Sequence, residues 1–442
     1  MRVLIVSPHF PPVNAADGQR IRLLAPYFAE VGIEATILTV NPEGVDQPRD
    51  DWLATSLPDD LSITPVTARS LRWRSLPGLG SLSSRALGAL RKAGNAELRT
   101  GSYDLVYFST TQFGLHVLGP EWRERFEVPF VMDYQDPWVN DYYRDHPDVI
   151  PPGGRLKFAL AYRKNQIDEP RVLSYCSGFT SVSPRYPAEL AQRYPDLSFR
   201  ETKNGPPLPG EIPFLILPFP GDSRDFARLR DEDSSSPFPS HGVQNWVYVG
   251  RAFPPMGRTL RILFASLAGA RSVRPDPVTN LRLHFVGTSH LAGAEAQDFV
   301  RPIAEEYGLA DIVTESPSRI PYREVLRHLL EADALIVPGT DDPGYTASKI
   351  YPYLLSNRPL LALFHEESSV VHLINTVGGG HVIPFRNPED DAKVISNLTQ
   401  KFLDWDFLIP QVPLDLESFR PFTAKAQAET LCGFFRTCLE NS

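Results

Sequence analysis

The stretch ASKIYPYLLSNRP, residues 347–359, lies between two apolar runs, ALIVP at 334–338 and LLALF at 360–364. Apolar runs of this length on either side of a loop and a short helical segment predict a strand–helix–strand unit of a parallel sheet. In such a unit Ser348 and Lys349 begin the helix, just beyond the carboxyl end of a strand. A helix start that offers unpaired N–H groups, a hydroxyl and an ammonium favours a phosphate group. The alternative is an ordinary turn with a solvated lysine.

The size and charge of the chain limit what it can be. Its 442 residues, 42% of them apolar, predict two or three domains with sizeable cores. The net charge of −9 argues against nucleic acid as a partner. Three cysteines provide neither a disulfide framework nor a spaced metal site, so we expect a reduced, cytoplasmic protein. The apolar run at 3–6 is too short for a signal sequence, and no run reaches the roughly 18 apolar residues of a spanning helix.

The first forty residues alternate between strand and helix patterns. The apolar run VLIVS at 3–7 is followed by a loop, an amphipathic helix that Gly32 ends, and a second apolar run, ATILTV at 35–40. This order is the opening of a doubly wound α/β domain. The loop at 8–18 lacks the Gly-x-Gly-x-x-Gly pattern, which argues against a dinucleotide site.

A second alternating series begins after a proline-rich segment. Residues 206–242 contain eight prolines, a charged stretch and three consecutive serines, which predicts an interdomain linker with a local insertion. We therefore predict a first Rossmann-like domain at 1–205, a second one at 243–404, and a helical segment at 405–442 that returns to the first domain.

The segment 69–99 is strongly basic, with leucines and Trp73 between its charges and Glu97 as its single acid. Its basic residues are Arg69, Arg72, Arg74, Arg85, Arg91, Lys92 and Arg99. A basic amphipathic segment suits the surface of an anionic membrane, which predicts peripheral membrane contact here. The alternative, which we favour, is a solvated helical face.

The order of short motifs along nearly the whole chain resembles that of the family 4 glycosyltransferases. The family's donor-site helix reads Ser-Pro-x-Lys-x-x-Glu-Tyr-Leu-Ala-x-Gly-x-Pro, and the residues that match it are Ser348, Lys349, Tyr353, Leu354 and Pro359. The other motifs, in chain order, are the first glycine loop, Asp136, Ser183, Asn204-Gly205, Gly250-Arg251, Gly287, the strand at 332–338 and Gly378-Gly379-Gly380.

The resemblance implies the GT-B architecture, in which two doubly wound, Rossmann-like domains face each other across a cleft. It implies a nucleotide-sugar donor held by the C-terminal domain. It also implies an acceptor (a glycan, a lipid-linked sugar or a small molecule) held by the N-terminal domain. The implied reaction is the transfer of a hexosyl group with retention of configuration and without a metal or other cofactor. Arginine, lysine and helix ends are then expected to neutralise the charge that develops on the leaving diphosphate.

Two parts of the N-terminal domain gain a role from the resemblance. Asp17 and Gly18 stand where the family carries Gly-Gly, and Arg20 follows them. We predict that this loop contacts the acceptor and the donor phosphate.

Asp136 follows a buried strand and precedes a Pro-Trp pair, close to where many members of the family have a His or His-Asp pair. We predict that Asp136 is catalytic; the alternative is a structural carboxylate that caps a loop.

The resemblance also assigns a donor site in the C-terminal domain, whose predicted residues are Gly250, Arg251, Arg258, Gly287, Ser348, Lys349 and Glu366. Arg258 is included because a lysine of the family falls on Met256. Glu366 is included because the family's paired glutamates are missing, falling near Gly344 and on Pro352. Loss of an acceptor for the ribose hydroxyls would weaken nucleotide specificity by roughly 1–3 kcal/mol.

The missing glutamates leave other functions open. One alternative is a GT-B protein that binds a nucleotide-sugar or a glycan without turnover. A second is a nucleotide-sugar epimerase of the same architecture, which the lack of an evident histidine-rich motif disfavours. The acid pair at 341–342 is compatible with a metal, but two acids next to a Pro-Gly pair indicate a turn, and we predict no metal site.

Overall fold

The computed structural model describes residues 1–75, 80–145, 151, 154–230, 236–238, 242–289, 296–345, 347–404 and 412–442. The chain forms two compact units: residues 1–220 with 424–442 make up the first, and residues 221–423 the second. Parts of three predicted segments lie outside the described residues. They are 76–79 of the basic segment, 231–235 and 239–241 of the predicted linker, and 405–411 of the C-terminal segment.

The first unit contains one parallel sheet. Its strands are β1 (Arg2–Val6), β2 (Glu34–Val40), β3 (Ser62–Val66), β4 (Leu105–Ser109), β5 (Phe130–Tyr134), β6 (Gly178–Ser181), β7 (Ser198–Glu201) and β8 (Glu211–Ile216). They lie in the order β3-β2-β1-β4-β5-β6-β8-β7, and all neighbours run parallel. The helices are α1 (Gln19–Leu24), α2 (Asp51–Ala54), α3 (Leu82–Thr100), α4 (Leu118–Phe126), α5 (Tyr142–Asp145), α6 (Arg155–Leu173), α7 (Arg185–Arg193) and, from the end of the chain, α17 (Ala424–Glu440).

Alternate residues of the central strands enter two cores, one on each face of this sheet. In β1, Val3 and Ile5 belong to the core that α1 and α17 cover. Leu4 and Val6 belong to the core that α3 and α4 cover. A parallel sheet covered on both faces needs apolar residues at consecutive positions, which explains why its central strands read as continuous apolar runs.

Helix α17 packs on the first unit, although 203 residues of the second unit precede it in the chain. Leu431, Phe435 and Cys438 are fully buried in the core beside β1, β2 and β4. The Phe435 ring lies edge-on to Tyr107 of β4, with 5.0 Å between the ring centroids. The last helix is therefore an integral layer of the N-terminal sheet.

The second unit repeats the parallel arrangement with six strands. They are β9 (Gln244–Val249), β10 (Leu281–Val286), β11 (Val313–Ser316), β12 (Ala334–Pro338), β13 (Leu360–His365) and β14 (His381–Phe385), in the order β11-β10-β9-β12-β13-β14. Its helices are α8 (Ser223–Arg230), α9 (Gly257–Val273), α10 (Pro275–Thr279), α11 (Val300–Glu306), α12 (Tyr322–Glu331), α13 (Ile350–Leu355), α14 (Ser369–Val377), α15 (Asp391–Leu403) and α16 (Leu416–Phe419). The two parallel sheets confirm the predicted α/β class with two Rossmann-like domains.

The structure differs from the sequence interpretation in the proline-rich segment. Residues 206–220 belong to the first unit, and β8 lies inside its sheet between β6 and β7. The strand contains Pro213, and proline in a strand with neighbours on both sides argues against a strand from sequence alone. Helix α8 occupies a further part of the segment that we interpreted as a linker.

The apolar face of the basic segment packs inside the first unit. Leu82, Ala86, Leu90 and Leu98 of α3 are buried in the core against the sheet. Arg85 is buried as well, and its guanidinium donates to the carbonyl oxygens of Gly44 and Arg69 at 2.8 and 2.9 Å. Helix α3 thus has a buried apolar face and a solvated polar face. No helix in the described ranges combines the length and the apolar character that crossing a membrane requires.

Candidate functional site

A His–Asp pair lies in the loop that follows β1, at the carboxyl edge of the first sheet. The Nδ1 atom of His9 is 2.8 Å from Oδ1 of Asp17, and both residues are buried. Oδ2 of Asp17 accepts hydrogen bonds from the Thr110 hydroxyl at 2.9 Å and from the Thr111 backbone N–H at 3.2 Å. Burial alone would raise the pKa of Asp17, but His9 and these hydrogen bonds hold it below its usual value. Asp17 is therefore a firmly placed carboxylate that orients the His9 ring.

Gly18 allows this loop to fold tightly. A Cβ atom at this position would lie 2.2 Å from the carbonyl oxygen of His9. Only glycine fits such a close backbone approach. The close approach brings Asp17 back to His9 at the carboxyl edge of the sheet.

Arg20, which we predicted to contact phosphate, is fully enclosed in the first unit. Its Nε is 2.8 Å from Oδ2 of Asp133, and both side chains are completely buried. Its terminal nitrogens donate to the carbonyl oxygens of Leu217 at 2.8 Å and Pro218 at 3.1 Å. The structure gives Arg20 a structural role in place of the predicted one, because its positive charge compensates the buried Asp133 and ties the segment after β8 to α1.

Gln135 extends the buried polar network toward the loop of His9. Its Nε2 donates to Oδ2 of Asp133 at 2.7 Å and to the Ser109 hydroxyl at 3.1 Å. Its buried Oε1 has no hydrogen-bond partner among the described residues. Buried polar atoms are nearly always paired in folded proteins, so an unpaired acceptor at the carboxyl edge of a parallel sheet is a candidate contact for a ligand hydroxyl.

Asp136 follows Gln135 and faces outward. The residue is exposed to solvent, in contrast to the buried Asp133 and Gln135. The surrounding protein and the negative charge of Asp17 raise the pKa of its carboxyl to about 6. The structure thus places an exposed carboxylate with a raised pKa close enough to Asp17 for the two charges to interact.

The predicted lysine of the second unit lies in a compact polar cluster. The Nζ atom of Lys349 donates to the Tyr248 hydroxyl at 2.6 Å and lies 4.5 Å from the centre of that ring. The Tyr248 hydroxyl donates in turn to the Arg251 carbonyl oxygen at 2.7 Å. Although Lys349 is only partly buried as a whole, burial of its ammonium and, less strongly, the charge of Arg251 lower its pKa to about 7.

Gly250 makes room for this lysine. It has a φ of +145°, and a Cβ atom there would lie 2.3 Å from Nζ of Lys349. Tyr353 fixes the following helix, since its hydroxyl accepts from the Val249 N–H at 2.6 Å and donates to the Val249 carbonyl oxygen at 3.0 Å. The end of β9 and the start of α13 therefore hold Lys349 in one position.

Arg251 and Ser348 flank this cluster with exposed polar groups. Both residues are exposed, and the Arg251 guanidinium lies 5.3 Å from the centre of the Phe253 ring. Tyr345 lies edge-on to Phe253 at 6.0 Å and is stacked with Phe364 at 6.4 Å. Four of the predicted donor residues, Gly250, Arg251, Ser348 and Lys349, thus come together at the carboxyl edge of the second sheet.

The other predicted donor residues have different surroundings. Arg258 pairs through two nitrogens with Asp391, with a shortest distance of 2.7 Å, and donates to the Arg386 carbonyl oxygen at 3.0 Å. Glu366 forms an ion pair with Arg386. Gly287 ends β10 with a φ of +70°, near the backbone of Arg319. Arg258 therefore links α9 to α15, and Glu366 is already compensated by an arginine, so neither is placed as a free ligand for a nucleotide.

His9, Thr110 and Asp133 were missed in the sequence interpretation. The only signal was position, because each follows or ends an apolar strand run and so lies at the edge where ligands bind in parallel α/β sheets. The spacing of 8 residues between His9 and Asp17 carries no periodicity, and the pair forms only because the loop doubles back at Gly18. In the described part of the chain, no group of three or more His, Cys, Asp or Glu side chains is arranged to hold a metal ion.

The fold is similar to those of several proteins of known structure. HepE of Anabaena, solved in complex with UDP and glucose, is 14% identical over 99% of this chain and 100% of its own, with a TM-score of 0.60. The UDP-forming α,α-trehalose-phosphate synthase of Burkholderia vietnamiensis is 12% identical over 99% and 100%, with a TM-score of 0.61. WaaG, a glycosyltransferase involved in lipopolysaccharide biosynthesis, is 15% identical over 98% and 99%, with a TM-score of 0.54.

Each similarity covers nearly the whole of this chain, including both units, and nearly the whole of the other protein. The chain therefore has the GT-B fold. At such low identity a shared fold does not by itself carry an activity. No protein-family model matches the chain, and no curated protein sequence matches it.

Proposed function

We propose that the protein is a glycosyltransferase that moves a sugar from a nucleotide-diphosphate donor to an acceptor. The donor binds the second unit and the acceptor binds the first, as the resemblance to family 4 implies. The observation that carries the proposal is the Lys349 cluster. Its ammonium is 2.6 Å from the Tyr248 hydroxyl and lies against Gly250, where a Cβ atom would be only 2.3 Å from Nζ. An ammonium held in one position at the carboxyl edge of a Rossmann-like sheet suits a diphosphate.

The chemistry explains why such a cation matters. Breaking the bond between the sugar and the nucleotide leaves additional negative charge on the diphosphate, and preorganised cations stabilise that charge most strongly in the transition state. Lys349 in its protonated form and the exposed Arg251 supply two cations on adjoining loops. The proposal keeps the retaining, metal-independent course that the family resemblance implies.

The acceptor side of the proposal rests on Asp136, His9 and Gln135. The Asp136 carboxyl has a pKa of about 6 and is exposed, so it can exchange a proton near neutral pH. His9 is oriented by Asp17, and the unpaired Oε1 of Gln135 suits a sugar or acceptor hydroxyl. We assign Asp136 the role of orienting the acceptor hydroxyl or stabilising positive charge on the sugar ring.

A second candidate function is ligand binding without turnover. It is favoured by the absence of the family's paired glutamates, since one falls on Pro352 and the substitute we considered, Glu366, is paired with Arg386. A site without these groups would still hold a diphosphate through Lys349 and Arg251 but would hold the sugar and ribose hydroxyls less firmly.

The experiment that separates the two functions measures nucleotide release from UDP-, GDP- and ADP-sugars, with and without a panel of acceptors. Calorimetry with the same nucleotides runs in parallel. Release with any donor supports the transferase. Nucleotide binding without release or donor hydrolysis supports the binder, and the absence of binding to every nucleotide overturns both. Lys349→Ala and Arg251→Ala should each weaken binding by about 1.5–3 kcal/mol, as expected for charge-assisted hydrogen bonds.

A further inference from the structure

Helix α6 has one face built into the first unit. Phe158 lies edge-on to Tyr143 at 5.4 Å, and Asn165 donates to the Trp138 carbonyl oxygen at 3.3 Å. Further along, the buried carboxylate of Glu169 accepts from the Tyr194 hydroxyl at 2.7 Å. These contacts fix the rotation of the helix about its axis.

The opposite face of α6 is apolar and open to solvent. Leu156 is 78% exposed, Leu160 63% and Ile167 69%. With 3.6 residues per turn, these three side chains fall within a sector of about 40°, roughly opposite Phe158 and Glu169. Single exposed apolar residues are common, but an aligned row on one helix face indicates a binding surface.

Cations surround this row. Lys157, Arg163, Lys164 and Arg171 are all exposed and lie on or beside the same sector. The acid nearest to it, Asp168, pairs with Lys164. This local excess of positive charge contrasts with the net charge of −9 of the whole chain.

We propose that this face of α6, which we call the α6 face, binds the protein to an anionic lipid surface. Leu156, Leu160 and Ile167 would enter the boundary between headgroups and acyl chains, while the lysines and arginines reach the phosphate groups. A protein partner fits less well, because protein interfaces are enriched in aromatic residues and depleted of lysine, and the α6 face has two lysines and no aromatic residue.

The proposal moves the membrane contact away from the segment 69–99. Leu82, Ala86, Leu90 and Leu98 of α3 are buried in the core of the first unit and Leu87 packs against it, so that helix has no row of exposed leucines for lipid. Trp73, which precedes α3, is a single exposed apolar side chain at 40%. The α6 face has both components, exposed apolar residues and cations. It is independent of which sugar the enzyme transfers.

The test is flotation of the full chain with vesicles of phosphatidylcholine alone and of equal amounts of phosphatidylcholine and phosphatidylglycerol. We expect binding to the anionic vesicles only, and weaker binding at high salt. Replacing Leu156, Leu160 and Ile167 together by glutamine should lower the partition coefficient at least 10-fold. Replacing Lys157, Arg163 and Arg171 by glutamine should lower it by about 100-fold.

Two matched variants serve as controls. Leu208, Val273 and Leu416 are 63%, 69% and 71% exposed elsewhere on the chain, and their triple replacement by glutamine should leave vesicle binding unchanged. Replacing Arg69, Lys92 and Arg99 together by glutamine removes three exposed cations of the segment 69–99 and should also leave vesicle binding unchanged. The proposal is overturned if anionic vesicles do not bind the protein, or if the controls lose binding as strongly as the α6 variants. It is also overturned if sedimentation shows that the α6 face joins two copies of the chain.

Discussion

The Lys349 ammonium carries a charge that depends on pH in the physiological range. Burial lowers its pKa to about 7, so more than half of the protein without ligand has a neutral lysine above that pH. A diphosphate favours the charged form, so binding must then draw a proton from solution. We expect UDP affinity to fall as pH rises from about 7 to 9, a range above the second phosphate pKa of about 6.

The measurement is calorimetry at pH 8 in buffers with different ionisation enthalpies, which reports proton uptake. Lys349→Arg should flatten the pH dependence because a guanidinium stays charged, even if its geometry lowers the affinity. Lys393→Arg, an exposed lysine of α15, is the control and should behave like wild type. Identical pH profiles for wild type and Lys349→Arg would contradict the assignment.

Substitution of Asp136 distinguishes an enzyme from a protein that only binds its ligand. A group that orients the acceptor or stabilises the sugar cation acts mainly in the transition state. Asp136→Asn should therefore reduce turnover by about 10²-fold or more with little change in donor affinity.

A thermal melt of the Asp136→Asn variant provides the control for folding. Since its pKa is raised to about 6, the ionised carboxylate disfavours the folded state above that pH, and Asp136→Asn should not lower the melting temperature at pH 7.5. A variant that unfolds would show instead that Asp136 is a structural cap.

At the scale of elements, the turn after β9 decides whether the lysine of α13 can reach its place. Gly250→Ala would put a methyl group 2.3 Å from Nζ of Lys349 at a φ of +145°, so either the turn or the lysine must move. We expect a loss of roughly 1–3 kcal/mol in stability and weaker UDP binding. Gly88→Ala in α3, where a Cβ meets nothing within 4 Å, is the matched control. Unchanged affinity and melting temperature in Gly250→Ala would refute this reading of the turn.

The sequence predicted the elements better than the pairing of their side chains. Strands β1, β2, β12 and β13 follow directly from the apolar runs at 3–7, 35–40, 334–338 and 360–364. Strand β3 was missed because it is an edge strand with mostly exposed residues, and β8 because Pro213 interrupts its pattern. Both depend on neighbours that are distant in sequence.

The same limit explains the outcome at the candidate site. Lys349 and Gly250 were predicted together because a family pattern places both at strand ends. Arg20 and Arg258 were assigned to phosphate because a sequence does not reveal which carboxylate an arginine will meet. The structure supplies Asp133 for Arg20 and Asp391 for Arg258. Such pairs are set by packing across more than a hundred residues of chain, which local patterns do not encode.

At the scale of the whole molecule, the first unit depends on the last helix of the chain. Leu431 and Phe435 are fully buried among residues of the first sheet. Replacing either by alanine should destabilise the first unit by about 2–5 kcal/mol, through lost burial and the cavity left behind. Hydrogen exchange followed by mass spectrometry should show faster exchange in β1 and β2, with β12 and β13 unchanged. Arg436→Ala, on the exposed side of the same helix, is the control, and faster exchange throughout both units would contradict the expectation.

The position of α17 also sets the order in which the newly made chain can fold on the ribosome. The second unit is one continuous segment and can close as soon as it is synthesised, whereas the first unit lacks a layer until α17 emerges. At about 5–20 residues per second, the intervening second unit takes on the order of 10–40 s to make. Throughout that interval the nascent N-terminal sheet exposes the apolar face that α17 later covers. The domain made first is thus the one completed last, and its open face is the part of the nascent chain that a chaperone would have to shield.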